Sequence, residues 1–169
     1  PVFSEYDQRY GDWLALDRTG AAANSVYGAT DEAYIADIYY AASAQIVAKA
    51  AEVLGLEETR QEYQKIADRQ WQVVKEEYFT ATGRCAVKTQ TGLILALKYH
   101  LSENEELTKQ MMKKLLRDNK NKLNTGFVGT PLLCNVLTDH GMTDAAYRLL
   151  LNEEYPGWLY EEVGGQAVL

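Results

Sequence analysis

From Tyr34 onward, apolar residues fall at Ile35, Ile38, Tyr39, Ala42, Ile46, Val47, Ala50, Ala51 and Leu54, with polar residues between them. That spacing follows a 3.6-residue period and predicts an amphipathic helix, which Gly55 stops. Asp31 or Thr30 is placed to cap its start. Tyr63, Ile66, Ala67, Trp71, Val74 and Tyr78 repeat the period, and the turn Ala81-Thr82-Gly83 closes the segment. Each helix runs for about six turns. A link of only a few residues makes the two an antiparallel hairpin.

A second pair follows. Gln90 to His100 carries Leu93, Ile94, Leu97 and Leu101 on one face, and Glu103 to about Asn119 carries Leu107, Met111, Leu115 and Leu116. Ser102 is the expected N-cap of the latter, with Glu105 at the third position of a capping box. After the glycine-rich run Asn124-Thr125-Gly126-Phe127-Val128-Gly129, Thr130 and Pro131 predict a hydroxyl cap with proline at the first helical position. Leu132, Leu133, Val136 and Leu137 form that helix's buried stripe, and Gly141 ends it. Thr143 is the expected cap of a last helix bearing Ala146, Tyr147, Leu150 and Leu151.

The pattern therefore predicts an all-α chain of about three helical hairpins. Two architectures accommodate them, a helical-repeat solenoid and part of an (α/α)6 toroid with inner and outer helices. The hairpins differ in length and lack a fixed repeat period. Their connections carry glycine and aromatic residues, as in Gly11-Asp12-Trp13 and Gly126-Phe127, which suits loops that line something rather than bare turns. The toroid is the preferred reading.

Composition narrows the function. In 169 residues, 24 Asp and Glu outweigh 17 Lys and Arg, for a formal charge of −7. No basic stripe suited to nucleic acid runs through the chain. The run from Lys109 to Lys122 is broken by Asp118 and by amides and reads as a solvated helix face. Nothing approaches 18 consecutive apolar residues, so no membrane span is expected. With only Cys85 and Cys134, and no secretory segment at the start, a disulfide framework is not expected and a cytoplasmic location is. The chain opens at Pro1-Val2-Phe3 without a methionine and closes at Gly165-Gln166-Ala167-Val168-Leu169, and both ends are read as cut or processed.

Chemistry concentrates in two aromatic clusters. Tyr10-Gly11-Asp12-Trp13-Leu14-Ala15-Leu16-Asp17 combines an indole with two carboxylates, a composition that suits sugar recognition. A Trp face covers the apolar C–H patch of a pyranose, and carboxylates accept from its hydroxyls. The plainer reading keeps Trp13 in the core and Asp12 as a turn cap. Glu153-Glu154-Tyr155-Pro156-Gly157-Trp158-Leu159-Tyr160 is either an aromatic plug over helix ends or a cleft rim. His100 and His140 lie near helix C-termini, where imidazoles meet free carbonyls, and neither has partners at metal-ligand spacing. Cys134, among leucines, reads as a packed thiol rather than a nucleophile. No metal or cofactor is implied.

Four ordered segments carry a resemblance: Tyr10 to Asp17; Thr125-Gly126-Phe127-Val128-Gly129-Thr130-Pro131; Leu137 to Leu151 with Asp139-His140-Gly141; and Tyr155-Pro156-Gly157-Trp158-Leu159-Tyr160. Together they resemble the catalytic domain of bacterial alpha-L-rhamnosidases over essentially the whole chain. The resemblance implies an (α/α)6 barrel and inverting hydrolysis of terminal alpha-L-rhamnosides. It implies that Trp13 lines the rhamnose pocket while Asp12 and Asp17 shape its loop. It also implies that the general acid lies upstream of Pro1 and the general base about two residues beyond Leu169. Residues 1–169 are then expected to be a fragment of one barrel, inactive alone, with no catalytic residue of its own. The partner of the intact parent is a rhamnose-containing glycoside, and exposed helix faces are expected to favour self-association. The alternative is a non-catalytic helical module for carbohydrate binding or assembly.

Overall fold

Six α-helices make up the long elements of the computed structural model, which describes residues 10–20, 23 and 25–160. The expectations about Pro1-Val2-Phe3 and about Gly165 to Leu169 fall outside the described residues. In chain order the helices are α1 (Glu32–Val53), α2 (Glu57–Tyr78), α3 (Gln90–Lys98), α4 (Glu105–Asp118), α5 (Thr130–Asp139) and α6 (Thr143–Leu150). They pair as α1 with α2, α3 with α4, and α5 with α6. The odd-numbered helices also touch one another, α3 packing against both α1 and α5. An inner row backed by an outer row is the layout of a toroid sector, and it bears out the hairpin count. Among the described residues there is no strand, only the bridge between Phe79 and Cys85 in the α2–α3 turn.

The core runs along the inner row. Every residue from Gln90 to Leu97 in α3 is buried, which is why a nine-residue helix can stand between two neighbours and a third behind it. Leu133 and Leu137 of α5, Met112 and Leu116 of α4, and Leu149 of α6 close on it. The Tyr34 hydroxyl donates to the carbonyl of Gly92 at 3.0 Å, so its polar end is satisfied within the core.

The start of α1 is as expected, with the Asp31 carboxylate accepting the Tyr34 N–H at 2.9 Å. Of the predicted stripe, Ile35, Ile38, Ala42 and Ala51 are buried and the remaining positions are not. Ala41, Ala44, Ala48 and Ala51 are buried, whereas Ile46 is 67% exposed and Tyr39, Val47 and Leu54 are exposed as well. Small residues let two 22-residue helices pack closely; Tyr34, Ile35 and Ile38 enter the core in the first half of α1, and in its second half Ile46, Val47 and Val53 are turned outward.

Three predicted caps are corrected. Asn104, not Ser102, caps α4, its side chain accepting the Leu107 N–H at 3.0 Å. The Ser102 hydroxyl instead donates to the Gly83 carbonyl at 2.6 Å and accepts from Asn104 N–H at 3.0 Å, holding the α2–α3 turn against the α3–α4 link. Glu105 is therefore the first residue of α4 and takes no part in a capping box. Gly129, not Thr130, precedes α5, and Thr130 is its first helical residue. A Cβ at position 129 would overlap Thr91 Oγ1 and sit 2.8 Å from Thr125 Cγ2, so no hydroxyl residue fits there. Met142, not Thr143, precedes α6, because it also closes the end of α5 through its N–H to the Leu137 carbonyl at 2.7 Å.

Four helix ends share that closure. Gly55, His100, Lys120 and Gly141 each adopt positive φ just past a helix, and the following N–H returns to the last turn. Glycine is the unstrained residue there; His100, at φ 50°, is not.

Candidate functional site

The segment before α1 is held against the connection that enters α5. Asp12 is fully buried, and its carboxylate is the point of attachment. Oδ2 accepts from the Thr91 hydroxyl and from Gly126 N–H at 2.8 Å; Oδ1 accepts from Val128 N–H at 2.8 Å and Gly129 N–H at 3.2 Å. Four donors around one carboxylate leave it no open direction toward a ligand. Gly126 is required at this seam, since a Cβ would overlap the Trp13 carbonyl and lie 2.6 Å from that of Asp12.

Trp13 is not in the core: its side chain is 41% exposed. Its ring stacks on Phe127, centroids 5.2 Å apart and planes inclined at 29°. The Phe127 N–H also donates to the Trp13 carbonyl at 2.9 Å. Phe127 is 64% exposed and was not singled out as a site residue by sequence reasoning, although its place in a glycine-rich run was the available signal.

Asp17 sits on the far limb of the same loop. Its Oδ1 accepts the Ala29 N–H at 2.6 Å, and the Arg18 guanidinium reaches the Gly28 carbonyl beside it. Burial pushes the Asp17 carboxyl above the usual carboxylate range, the Ala29 N–H works against that, and the Asp12 charge adds to it. Asp17 lines a cleft of about 290 Å³ with Lys88, Thr89, Gln90, Asp118 and Asn124. Of the three predicted residues, Asp12 and Trp13 are thus joined at one seam, and Asp17 lines a cleft, closed in part by Leu115, whose lining does not include Trp13.

The second aromatic cluster fastens elsewhere. Trp158 is partly buried against the core, and the Pro156 and Tyr155 carbonyls accept from Leu123 N–H at 3.0 Å and Lys122 Nζ at 2.8 Å. Tyr155 and Tyr160 remain exposed as an edge-to-face pair.

The two histidines do not meet helix carbonyls through their Nδ1 atoms. Both face Glu105, His140 at 2.8 Å and His100 at 3.2 Å, with ring centroids 5.5 Å apart. Among the described residues no group of three or more His, Cys, Asp or Glu is arranged to hold a metal. The hydrogen bond from His140, then that from His100, holds the Glu105 carboxyl below its ordinary value of 4.5. A carboxyl depressed in the folded state stabilises above its unfolded pKa, and that contribution is lost as pH falls through the folded one. Below about pH 4.5 the unaltered chain should lose stability more steeply with acid than Glu105→Gln. Equal slopes in urea titrations at a series of pH values would count against this pairing.

Comparison with known proteins places this arrangement among relatives. Residues 3–168 match the family described as the bacterial alpha-L-rhamnosidase 6 hairpin glycosidase domain. An alpha-L-rhamnosidase of Formosa agariphila is 34% identical over 161 residues, covering 94% of this chain and 17% of its own length. The crystal structure of the Aspergillus terreus alpha-L-rhamnosidase superposes with a TM-score of 0.83 at 28% identity, over 92% of this chain and 18% of that one. That of the Streptomyces avermitilis enzyme, complexed with L-rhamnose, gives 0.79 at 32% identity, over 92% and 14%. The chain spans about a sixth of the length of the curated relatives it matches.

Proposed function

Because the chain belongs to the bacterial alpha-L-rhamnosidase six-hairpin glycosidase domain family, we propose that it supplies the sugar-facing sector of a glycosidase barrel that removes terminal alpha-L-rhamnose from glycosides. The observation that carries this reading is an indole held exposed on a rigid loop, Trp13 at 41% exposure beside the fully buried Asp12. An immobilised indole face matches the C–H face of a pyranose at little entropic cost on binding. In this reading Trp13 touches the sugar, Asp12 fixes the loop from within, and Asp17 lines the adjoining cleft.

Residues 1–169 act as part of a single (α/α)6 barrel and carry neither the general acid nor the general base. Asp12, the carboxylate next to Trp13, is committed to four donors and has no proton-transfer role. Loss of one acid or base costs about 10²- to 10⁴-fold. The outward residues of α1, Ile46, Val47 and Tyr40, form the face on which further hairpins or a second copy would seat. No helix among the described residues is long and apolar enough to cross a membrane. The free thiols of Cys85 and Cys134 accord with a reducing, cytoplasmic setting.

Two measurements test the reading. The isolated chain should release no aglycone from an aryl alpha-L-rhamnoside, and turnover that persists through successive purification steps would overturn the absence of catalytic carboxylates. L-rhamnose should perturb the indole signal of Trp13, and an unchanged signal at saturating sugar would remove Trp13 from the binding surface.

A further inference from the structure

The Phe127 ring has no evident reason to stand 64% exposed on a loop whose backbone is so firmly held. Asp12 takes the N–H groups of Gly126, Val128 and Gly129, on both sides of Phe127. The remaining N–H of the run, that of Phe127 itself, goes to the Trp13 carbonyl at 2.9 Å. Gly126 admits no Cβ against the Trp13 and Asp12 carbonyls, so the two strands of chain meet backbone to backbone. With four consecutive N–H groups fixed, the Cα–Cβ direction of Phe127 is fixed too, and it delivers the ring onto Trp13 at 5.2 Å and 29°.

We propose that Phe127 is a positioning residue for sugar recognition, a backing ring that covers one face of the Trp13 indole and presents the other to the ligand. This rests on Trp13 being the sugar-contacting residue, as proposed above. An indole free to turn about its side-chain torsions presents either face or an edge, and only one orientation matches a pyranose. A stacked neighbour removes the alternatives before the sugar arrives, and the favourable contact between the rings is made with or without ligand. Phe127 is then not a contact residue: its effect on affinity passes through the orientation of Trp13.

The test uses the full chain labelled with 5-fluorotryptophan, which reports Trp13, Trp71 and Trp158 separately. The Trp13 resonance is assigned by its loss in Trp13→Phe. Phe127→Ala should move that resonance toward the position of free fluorotryptophan and raise its H2O/D2O solvent shift, leaving the Trp71 and Trp158 lines in place. Phe127→Tyr, which keeps the ring, should hold it at the original position. With L-rhamnose as the probe, affinity should fall about 3- to 10-fold in Phe127→Ala and be retained in Phe127→Tyr. An unmoved Trp13 line in Phe127→Ala overturns the proposal, as does an unchanged rhamnose affinity. Should the unaltered chain bind no rhamnose, the sugar reading of Trp13 falls and the role of Phe127 in recognition falls with it. The fluorine arm then still decides whether Phe127 sets the ring.

Discussion

Asp12→Ala is expected to lower the unfolding free energy by about 4 kcal/mol, read as a fall in the urea midpoint at unchanged slope. The carboxylate is fully buried and receives the Thr91 hydroxyl and the N–H groups of Gly126, Val128 and Gly129. Truncation removes a charge-assisted acceptor and also strands those donors where water replaces it poorly, and the second cost adds to the first. Asp12→Asn separates shape from chemistry. It keeps the volume, but its amide nitrogen must point at donors on one side or the other, so only part of the loss is recovered. A loss below about 1 kcal/mol in Asp12→Ala would mean the seam is held by packing alone.

The second large effect is steric. Gly126→Ala is expected to cost about 3 kcal/mol or to displace the loop altogether, since its Cβ would overlap the Trp13 carbonyl and sit 2.6 Å from the Asp12 carbonyl and 2.7 Å from Ala15 N. All three neighbours are backbone, so no rotamer change relieves the contact. The two substitutions act on one seam, and the double variant should lose less than the sum of the singles. Calorimetry on the four proteins checks this; strict additivity would place the two effects at separate sites.

Much of the fold was legible because helices advertise themselves locally. The cap at Asp31, the stops at Gly55 and Gly141, and the short hairpin links depend on residues within a turn of one another. Legibility failed where two elements competed for one residue. Ser102 has the chemistry of a cap but is drawn to the Gly83 carbonyl, a partner 19 positions away, and Asn104 takes its place. The buried face of α1 was legible at Ile35, Ile38, Ala42 and Ala51, but Ile46 and Val47 were misplaced, because periodicity counts them above alanine whereas close helix contact favours alanine. At the candidate site the residue types around Trp13 drew attention for a sound reason. The role of Asp12 inside the loop was open to inference only in outline, since its partners lie in another hairpin. The Gly126-Phe127 run was legible as a loop that lines something, but the pairing of Phe127 with Trp13 was not, because stacking is a property of the folded seam and leaves no spacing in the chain.

The seam also has a kinetic meaning. The hairpins close over links of a few residues, whereas the Asp12 to Gly126 bond joins positions 114 apart. Closing a flexible loop of that length carries about 4 kcal/mol of length-dependent entropy, and it becomes affordable only once folded hairpins have shortened the path. The seam is therefore expected to close late in folding. The stacked pair Trp13 and Phe127 is assembled by that closure, so its appearance marks the moment when the first and third hairpins have both found their places on α3.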